Sequence, residues 1–323
     1  MIKLDNQQAL LKSHLQLDRI KKIYRGKVRD LYHLENDLLI MIATDRVSAF
    51  DRVMDVGIPF KGQVLNQLSV HMLQKSKKIV PNWFLVSPDP NVSIGHYCQP
   101  IEVEMVIRNN LIGHVYRLYQ SGKRDICGVE LPDGLVLYDA FEKPIITPTT
   151  KAKQGHDVDI SKNEIIENGI VSLSDYELME KYTYKLFEFG SQMALENGLI
   201  LMDTKYEFGK MQTGDIVLID EVHTADSSRY TYAHSLENKN KIPSQVKHLS
   251  KEFFRQWLIS KGYRGDEHQT IPSIDFNVQN QLSERYIQLY HTLTSQKFVP
   301  SSTQDVNGRI QEKMDQFLIS YFQ

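Results

Sequence analysis

Hydrophobic and polar residues alternate between Gly198 and Tyr230 in a pattern that predicts two strands joined by a turn. Apolar and β-branched residues flank a short polar loop, Gly209 to Asp215, which contains two glycines. Side chains along a strand point to opposite faces in turn, so Asp203, Lys205 and Glu207 are expected to share one face. The stretch therefore predicts a β-hairpin with a charged face.

The register of this hairpin decides which groups the charged residues meet. One tight pairing sets Phe208 beside Ile216. This pairing brings Asp220 close to Asp203 and Thr204, whereas a slip of one residue moves Asp220 to the other face. In the first register three carboxylates and a lysine converge. The solvated outer face of a hairpin shows the same alternation, so a functional site and a plain surface both stay open.

The returning strand runs into a loop that is rich in hydroxyl groups. The loop contains Thr224, Asp226, Ser227 and Ser228 and closes with Arg229. Such a set suits the binding of phosphate or carboxylate oxygens. Magnesium favours one or two carboxylates together with phosphate oxygens. Carboxylates beside an anion-binding loop therefore predict a metal–phosphate site, with a nucleoside triphosphate and its cation as the expected ligand.

Two segments near the start of the chain carry further candidates. The extended segment IKKIYRGKVRDLYHL contains Lys27 and Arg29, which are expected on one strand face where they can contact polyphosphate, although exposed edge residues give the same pattern. A bend at Gly26 would let the backbone approach a ligand, and the P-loop pattern is absent. Ser48 and Asp51 follow the apolar run LLIMIA and are candidate ligand contacts or caps of the next turn or helix.

The spacing of hydrophobic residues also predicts elements in the rest of the chain. It predicts an amphipathic helix over residues 61–78 and a strand, IEVEMVI, that ends at Arg108. Between them SPDPNVSIGHYCQP interrupts both periods, which predicts a loop and the best internal boundary. The segment ITPTTKAKQGHDVDIS is expected to be a loop, which either covers phosphates or only connects two elements. A capping box of Ser174 and Glu177 opens the clearest helix, which runs until Gly198.

The C-terminal part of the chain is expected to be helical. SLENKNKIPSQ has the composition of a linker. Beyond it, KEFFRQWLISKG, LSERYIQLYHTLT and GRIQEKMDQFLISYF are typical of helices packed on the body of the protein.

Composition narrows the class of protein. A length of 323 residues suits about two domains. The net charge of −2, from 38 basic and 40 acidic residues, argues against global electrostatic binding of nucleic acid or membranes. Cys98 and Cys127 lack CxxC spacing, and the N-terminal stretch lacks the apolar region of a signal peptide. A cytoplasmic protein without a structural zinc site or a membrane span is therefore expected.

Several motifs, in their order along the chain, resemble the SAICAR synthetase family of purine biosynthesis. They are GKVRDLY, TDRVSAFD, KPIITPTTKAKQGHD, GLILMDTKYEFG and DEVHTADSSRY, and the resemblance continues through SKEFFRQWLISKGYRG and LSERYIQLYHTLT. It implies an α+β fold related to ATP-grasp and kinase-like folds. The implied division is a small N-terminal antiparallel β domain that binds ATP (1–100), a larger central α+β nucleotide and substrate domain (101–235), and C-terminal helices (236–323).

The resemblance also implies a reaction. An ATP-dependent ligase of this family joins L-aspartate to the carboxylate of carboxyaminoimidazole ribonucleotide (CAIR), and yields SAICAR, ADP and phosphate with Mg²⁺. ATP is expected between the two β-containing domains, and the chain is expected to be a monomer or a small homo-oligomer. A small-molecule kinase of related fold and a non-catalytic nucleotide-binding module are the alternatives, while the protein-kinase HRD and DFG motifs are absent.

Residue roles follow from the matching motif positions. The resemblance implies catalytic roles for Lys205, Asp203 and Arg229. It implies ATP contacts by Lys27, Arg29, Lys151, Glu207 and Asp220, of which Glu207 and Asp220 also hold magnesium. It implies substrate contacts by Arg108, Ser48, Asp51, His114, Asp226 and Ser228.

Two departures from the family pattern are visible. The family usually has glycine and serine after the strand arginine, whereas Gly113 is followed here by His114. We expect the imidazole of His114 to donate to the nucleotide phosphate in place of the missing serine hydroxyl. In the usual LTPDSSRFW pattern, His223 and Ala225 replace an apolar residue and a proline, while the anion-binding residues are kept.

Overall fold

The computed structural model describes residues 9–50, 52–151, 157–236, 248–266, 268–302 and 304–322, which group into two compact units. The first unit spans Met1–Gln74, Trp83–Tyr97 and Leu249–Gln323. The second unit spans Lys75–Asn82 and Cys98–His248.

Helices and strands both contribute to the described chain. The strands are β1 (Ile20–Arg25), β2 (Arg29–Leu34), β3 (Leu38–Ala43), β4 (Arg46–Ala49), β5 (Arg52–Gly57), β6 (Phe84–Asp89), β7 (Val92–His96), β8 (Gln99–Asn110), β9 (Asp125–Ile126), β10 (Val129–Glu130), β11 (Ala140–Ile146), β12 (Thr149–Thr150), β13 (Leu199–Lys210), β14 (Ile216–Ile219) and β15 (Ser228–Tyr232). The helices are α1 (Lys61–Ser76), α2 (Gly113–Gln120), α3 (Lys162–Glu167), α4 (Leu173–Glu196), α5 (Glu252–Ser260), α6 (Phe276–Thr294) and α7 (Val306–Phe322). A short 3-10 helix covers Ala233–Leu236.

The first unit is built on an antiparallel five-stranded sheet with the order β1-β2-β3-β7-β6. The continuous apolar run of β3 suits its central place, and Ile40 and Ile42 on this strand are fully buried. Ile310 and Met314 of α7 share the same core, so the C-terminal helix covers part of this sheet. The predicted helical character of the C-terminal segment is therefore confirmed.

A buried ion pair fixes α7 on the first unit. Arg309 donates from Nε to Oδ2 of Asp89 at 2.8 Å and from Nη2 to the Asn91 side chain at 2.7 Å. The Asp89 side chain is fully buried, so this guanidinium compensates a charge that water does not reach.

The second unit contains a six-stranded sheet. Its order is β11-β8-β13-β14, with β12 also paired to β8 and β15 also paired to β13. Because β13 has β8 along one edge and β14 and β15 along the other, it is the central strand. Strands β9 and β10 form a separate ribbon. Helix α4 packs on β13, where Tyr182 lies 6.2 Å from Phe208 between ring centroids.

The structure confirms the α+β class with antiparallel sheets and the amphipathic helix at Lys61–Ser76. It also confirms the charged hairpin strand and its polar turn. Within the described residues, no helix is long and apolar enough to cross a membrane. The three-part division of the chain stays a prediction, and most of the expected linker, residues 237–245, lies outside the described residues.

Three local expectations are wrong. Residues 87–100 are not a loop, because β6 and β7 pair as a hairpin across Pro90. Helix α4 is capped by Ser172, not Ser174, because the Ser172 hydroxyl accepts from the amide of Asp175 at 3.2 Å. Lys27 and Arg29 do not share a strand face, because the chain turns at Gly26, whose amide donates to the Arg29 carbonyl at 2.8 Å.

Candidate active site

The charged residues of β13 meet charged residues of its neighbours in register. Asp203 lies opposite both Arg108 of β8 and Arg229 of β15, and Glu207 lies opposite Glu104 of β8. Residues opposite each other in a sheet present their side chains on the same face. One face of this sheet therefore carries a row of acidic and basic groups.

Asp203 is held by two arginines. Its Oδ2 accepts from Nη1 of Arg108 at 2.7 Å and from Nη1 of Arg229 at 2.6 Å. Arg108 also donates from Nε to the Thr147 hydroxyl at 2.9 Å. Arg108 is 6% exposed and Asp203 4% exposed, and burial lowers the pKa of the Arg108 guanidinium. A buried carboxylate with two charged donors fixes both arginines, and the charge of Asp159 also acts on Arg108.

Lys205 lies between two carboxylates. Its Nζ donates to Oε1 of Glu104 at 2.5 Å and lies 3.7 Å from Oε1 of Glu207. Burial by itself lowers the pKa of Lys205, but the charges of Glu104, Glu207 and Asp220 outweigh it and raise that pKa above its ordinary value. The ammonium of Lys205 is thus held charged at neutral pH.

Glu207 also accepts from Nζ of Lys151, which follows β12. Burial opposes the charge of Lys151, but Glu207 and Asp220 raise the pKa of Lys151. Lys151, Glu207 and Asp220, which are predicted to contact ATP, are therefore neighbours in the second unit.

The expected register of the hairpin is wrong. Phe208 pairs with Leu218 and Lys210 with Ile216, because β13 continues two residues further before the turn. Asp220 consequently follows the residue opposite Glu207, which places it two residues along β13 from the predicted position opposite Thr204. Its charge acts instead on Lys151 and Lys205.

The plain-surface alternative is also wrong for this face. Asp203 is only 4% exposed and Glu207 only 9%. The opposite face of β13 is apolar as predicted, and Tyr206 and Phe208 on it are fully buried. The alternation therefore separates a charged face from a packing face.

The loop before β15 uses its hydroxyls internally. The Thr224 hydroxyl donates to Glu221, and the amide of Thr224 donates to the Ser227 hydroxyl at 3.1 Å. The hydroxyls of Ser228 and Thr204 share a hydrogen bond of 2.8 Å. Because Thr224, Ser227 and Ser228 are all buried, these bonds shape the turn that delivers the next residue of β15 to the charged face.

His114 and Asp226 lie on elements other than β13. His114 lies in the first turn of α2, and its Nε2 donates to Asp159 at 2.7 Å. This hydrogen bond lowers the pKa of Asp159. Gly113 before it has φ of +59°, and a Cβ there would lie 2.8 Å from Arg229, so the close approach requires glycine. Asp226 is partly buried, and its amide donates to the Thr224 hydroxyl at 3.2 Å.

The remaining candidates belong to the first unit. Lys27 is exposed in the turn before β2, and Arg29 is the first residue of that strand. Ser48 is buried in β4, where its hydroxyl accepts from Nζ of Lys251 at 3.3 Å. Asp51 lies outside the described residues. The ligand roles of all these candidates stay predictions.

Glu104 and Asp159 are not among the residues predicted from the sequence. In the alternating pattern of its strand, Glu104 lies on the face opposite to Val103 and Met105. It therefore resembles an ordinary polar residue of an exposed face. A signal was present, because Arg108 lies on the same face four residues later. Asp159 lies in a segment without periodicity and carries no comparable signal.

Comparisons with known proteins agree with the motifs. A sequence model of the SAICAR synthetase family matches residues 22–270. A phosphoribosylaminoimidazole-succinocarboxamide synthase from Flavobacterium psychrophilum is 50% identical over 299 residues, which cover 92% of this chain and 95% of that protein. One from Bacteroides thetaiotaomicron is 46% identical over 312 residues, which cover 96% of this chain and 99% of that protein.

Solved structures are similar in fold as well. The SAICAR synthase from Saccharomyces cerevisiae in complex with SAICAR has a TM-score of 0.75 and 28% identity, covering 89% of this chain and 99% of that one. A SAICAR synthetase in complex with ADP has a TM-score of 0.67 and 25% identity, covering 86% of this chain and 100% of that one.

His223 gives a prediction for acid stability. It is fully buried behind the charged face, with Nε2 3.1 Å from the carbonyl oxygen of Leu186, and burial lowers its pKa from 6.5 to about 4. Because the unfolded chain then binds more protons between these two pH values, the contribution of His223 to stability is lost as pH falls from 6.5 towards 4. The slope from this residue reaches at most ~1.4 kcal/mol per pH unit.

We expect His223→Leu to reduce the loss of stability between pH 7 and pH 5, measured by urea unfolding at each pH. The leucine lowers stability at every pH, because His223 has φ of +56°, but it does not titrate. His234→Leu, which changes an exposed imidazole of the same unit, serves as control and keeps the pH dependence of the parent. An unchanged pH dependence in His223→Leu contradicts this account.

Proposed function

The chain belongs to the SAICAR synthetase family, and is thus a ligase of purine biosynthesis; from this we propose that it condenses CAIR with L-aspartate at the expense of ATP. The products are SAICAR, ADP and phosphate. The observation that carries the proposal is the charged face of β13, on which Asp203, Lys205 and Glu207 have the partners that an anionic reaction requires. The relatives in complex with SAICAR and with ADP support the same ligands for this chain.

The chemistry explains why a charged face is needed. A carboxylate reacts poorly with an amine because its oxide is a poor leaving group. In the proposed route an oxygen of the CAIR carboxylate attacks the γ-phosphorus of ATP, and the bond to ADP breaks. The amine of aspartate then attacks the acyl carbon of the acyl phosphate, loses a proton, and phosphate leaves. Catalysis consists mainly of positioning anions and neutralising their charge.

Lys205 is assigned to orient the acceptor carboxylate. Its ammonium is kept charged by flanking carboxylates and is about one-third exposed, at 36% of its side chain, so a ligand can reach it. Arg108 and Arg229 are assigned to the imidazole nucleotide. Both are fixed by Asp203, which supports a rigid arrangement that needs little reorganisation when substrate binds.

Lys151, which lies beside Glu207, is assigned to the phosphates of ATP. Lys27 and Arg29 carry the same assignment from the motif resemblance alone. Lysine and arginine are suited to stabilising the charge of a phosphoryl group in transfer.

Glu207 and Asp220 fit a magnesium ion by the chemistry of their donors. Within the described residues, no group of three or more histidine, cysteine or acidic side chains forms a metal site. Magnesium does not need one, because it uses one or two carboxylates and takes its other ligands from phosphates and water. When bound, the ion would neutralise phosphate charge beside these two carboxylates.

The proposal is tested with purified protein, ATP, magnesium, CAIR and L-aspartate. We expect SAICAR and ADP to form in equal amounts, and only when aspartate is present. A stable phosphorylated product without need for aspartate favours a kinase. ATP binding without any product favours a non-catalytic module, and either result rejects the ligase.

Two substitutions test the assigned residues. We expect Lys205→Met and Asp220→Asn each to lower turnover by about 100-fold or more, the scale of a lost charged contact in a transition state. The thermal melting temperature should show that both variants are folded. Lys210→Met at the exposed end of β13 and Asp215→Asn in the turn are matched controls with near-parent turnover. Near-parent turnover in both test variants rejects the assigned site.

A further inference from the structure

Glu104 is a buried carboxylate at the centre of the charged face. It is 6% exposed and lies on β8 directly opposite Glu207 of β13. Two carboxylates in opposite positions repel each other, so their burial requires positive charge between them. Lys205 supplies that charge, with its Nζ 2.5 Å from Glu104 and 3.7 Å from Glu207.

The two carboxylates are engaged differently. Glu207 has a second lysine, Lys151, and is also the residue assigned to magnesium. Glu104 makes the shorter contact with Lys205. The Lys205 side chain is long and flexible, so an ammonium that must meet a substrate carboxylate needs a fixed partner. Glu104 is the residue whose geometry meets this need.

We infer that Glu104 is a positioning residue, which fixes the ammonium of Lys205 on the face of β13 for contact with the acceptor carboxylate. The inference rests on the proposed function, in which Lys205 orients that carboxylate. Glu104 acts through Lys205 and does not itself touch the substrate.

The position of the Lys205 ammonium gives a readout that is independent of turnover. The charged groups that bear on Lys205 include Glu104 from β8, Glu207 from β13, Lys151 after β12 and Asp220 after β14. Glu104 holds Nζ of Lys205 at 2.5 Å, against 3.7 Å for Glu207, so loss of the Glu104 carboxylate should release the ammonium from its present position. A crystal structure of the variant reports this displacement directly.

In a crystal structure of Glu104→Gln we expect the Lys205 ammonium to leave its position beside residue 104, because the neutral amide no longer holds it there. Glu102→Gln is the matched control, since Glu102 lies two residues earlier on the same face of β8 and is exposed. The Lys205 ammonium should keep its parent position in this control. An unmoved ammonium in Glu104→Gln overturns the inference, whether or not the proposed reaction is found.

Turnover separates positioning from a purely structural role. We expect Glu104→Gln to lower kcat about 10- to 100-fold at an unchanged KM for ATP, on the scale of one hydrogen bond to a charged group. In the Lys205→Met background the same substitution should have no further effect, because its target is gone. A further loss in that background shows independent action and overturns the inference.

Two outcomes distinguish this inference from the proposed function. If Lys205→Met is inactive while Glu104→Gln keeps parent turnover, the inference fails and the function stands. If Lys205→Met keeps parent turnover, the assigned site fails. If Glu104→Gln does not fold, Glu104→Asp replaces it, because it keeps the charge and moves it by one methylene. A parent-like kcat in that folded variant overturns the inference.

Discussion

Charged residues on a central strand can be buried only when opposite charges nearby compensate them. Strand β13 meets this constraint at Asp203, which faces Arg108 on one side and Arg229 on the other. A slip of one residue in either pairing would turn these partners to the opposite face and leave charges buried without compensation. The register of three strands is therefore fixed by the same ion pairs that form the charged face.

The packing face of β13 depends on the same alternation. Tyr206 and Phe208 are buried on it. Tyr182 of α4 lies against Phe208, and His223 lies between Tyr206 and the Leu186 carbonyl of α4. A core side chain and a charged side chain thus follow each other along one strand. Close packing makes the apolar face rigid. The charged face shares this rigidity, because both faces belong to one backbone.

Much of this arrangement could be predicted from the sequence. Alternation alone separates the two faces of β13, and the ordered motifs identify the family with its α+β fold. The hairpin register could not be predicted, because turns of different length both fit the polar loop. Glu104 was missed since it meets Lys205 across 101 positions of sequence, and only strand pairing brings them together. The glycine indicated a bend at Gly26, but not that the turn would extend to Arg29 and keep Lys27 and Arg29 from sharing a strand face.

In the proposed function, this charged face brings an acceptor carboxylate to the phosphoryl group of ATP. Labelling the carboxylate of CAIR with ¹⁸O and analysing the phosphate released during SAICAR formation tests this transfer. Attack of the carboxylate on phosphorus moves one labelled oxygen to phosphate, so we expect each phosphate from fully labelled CAIR to contain one ¹⁸O. Phosphate free of ¹⁸O, formed together with SAICAR, would contradict the account.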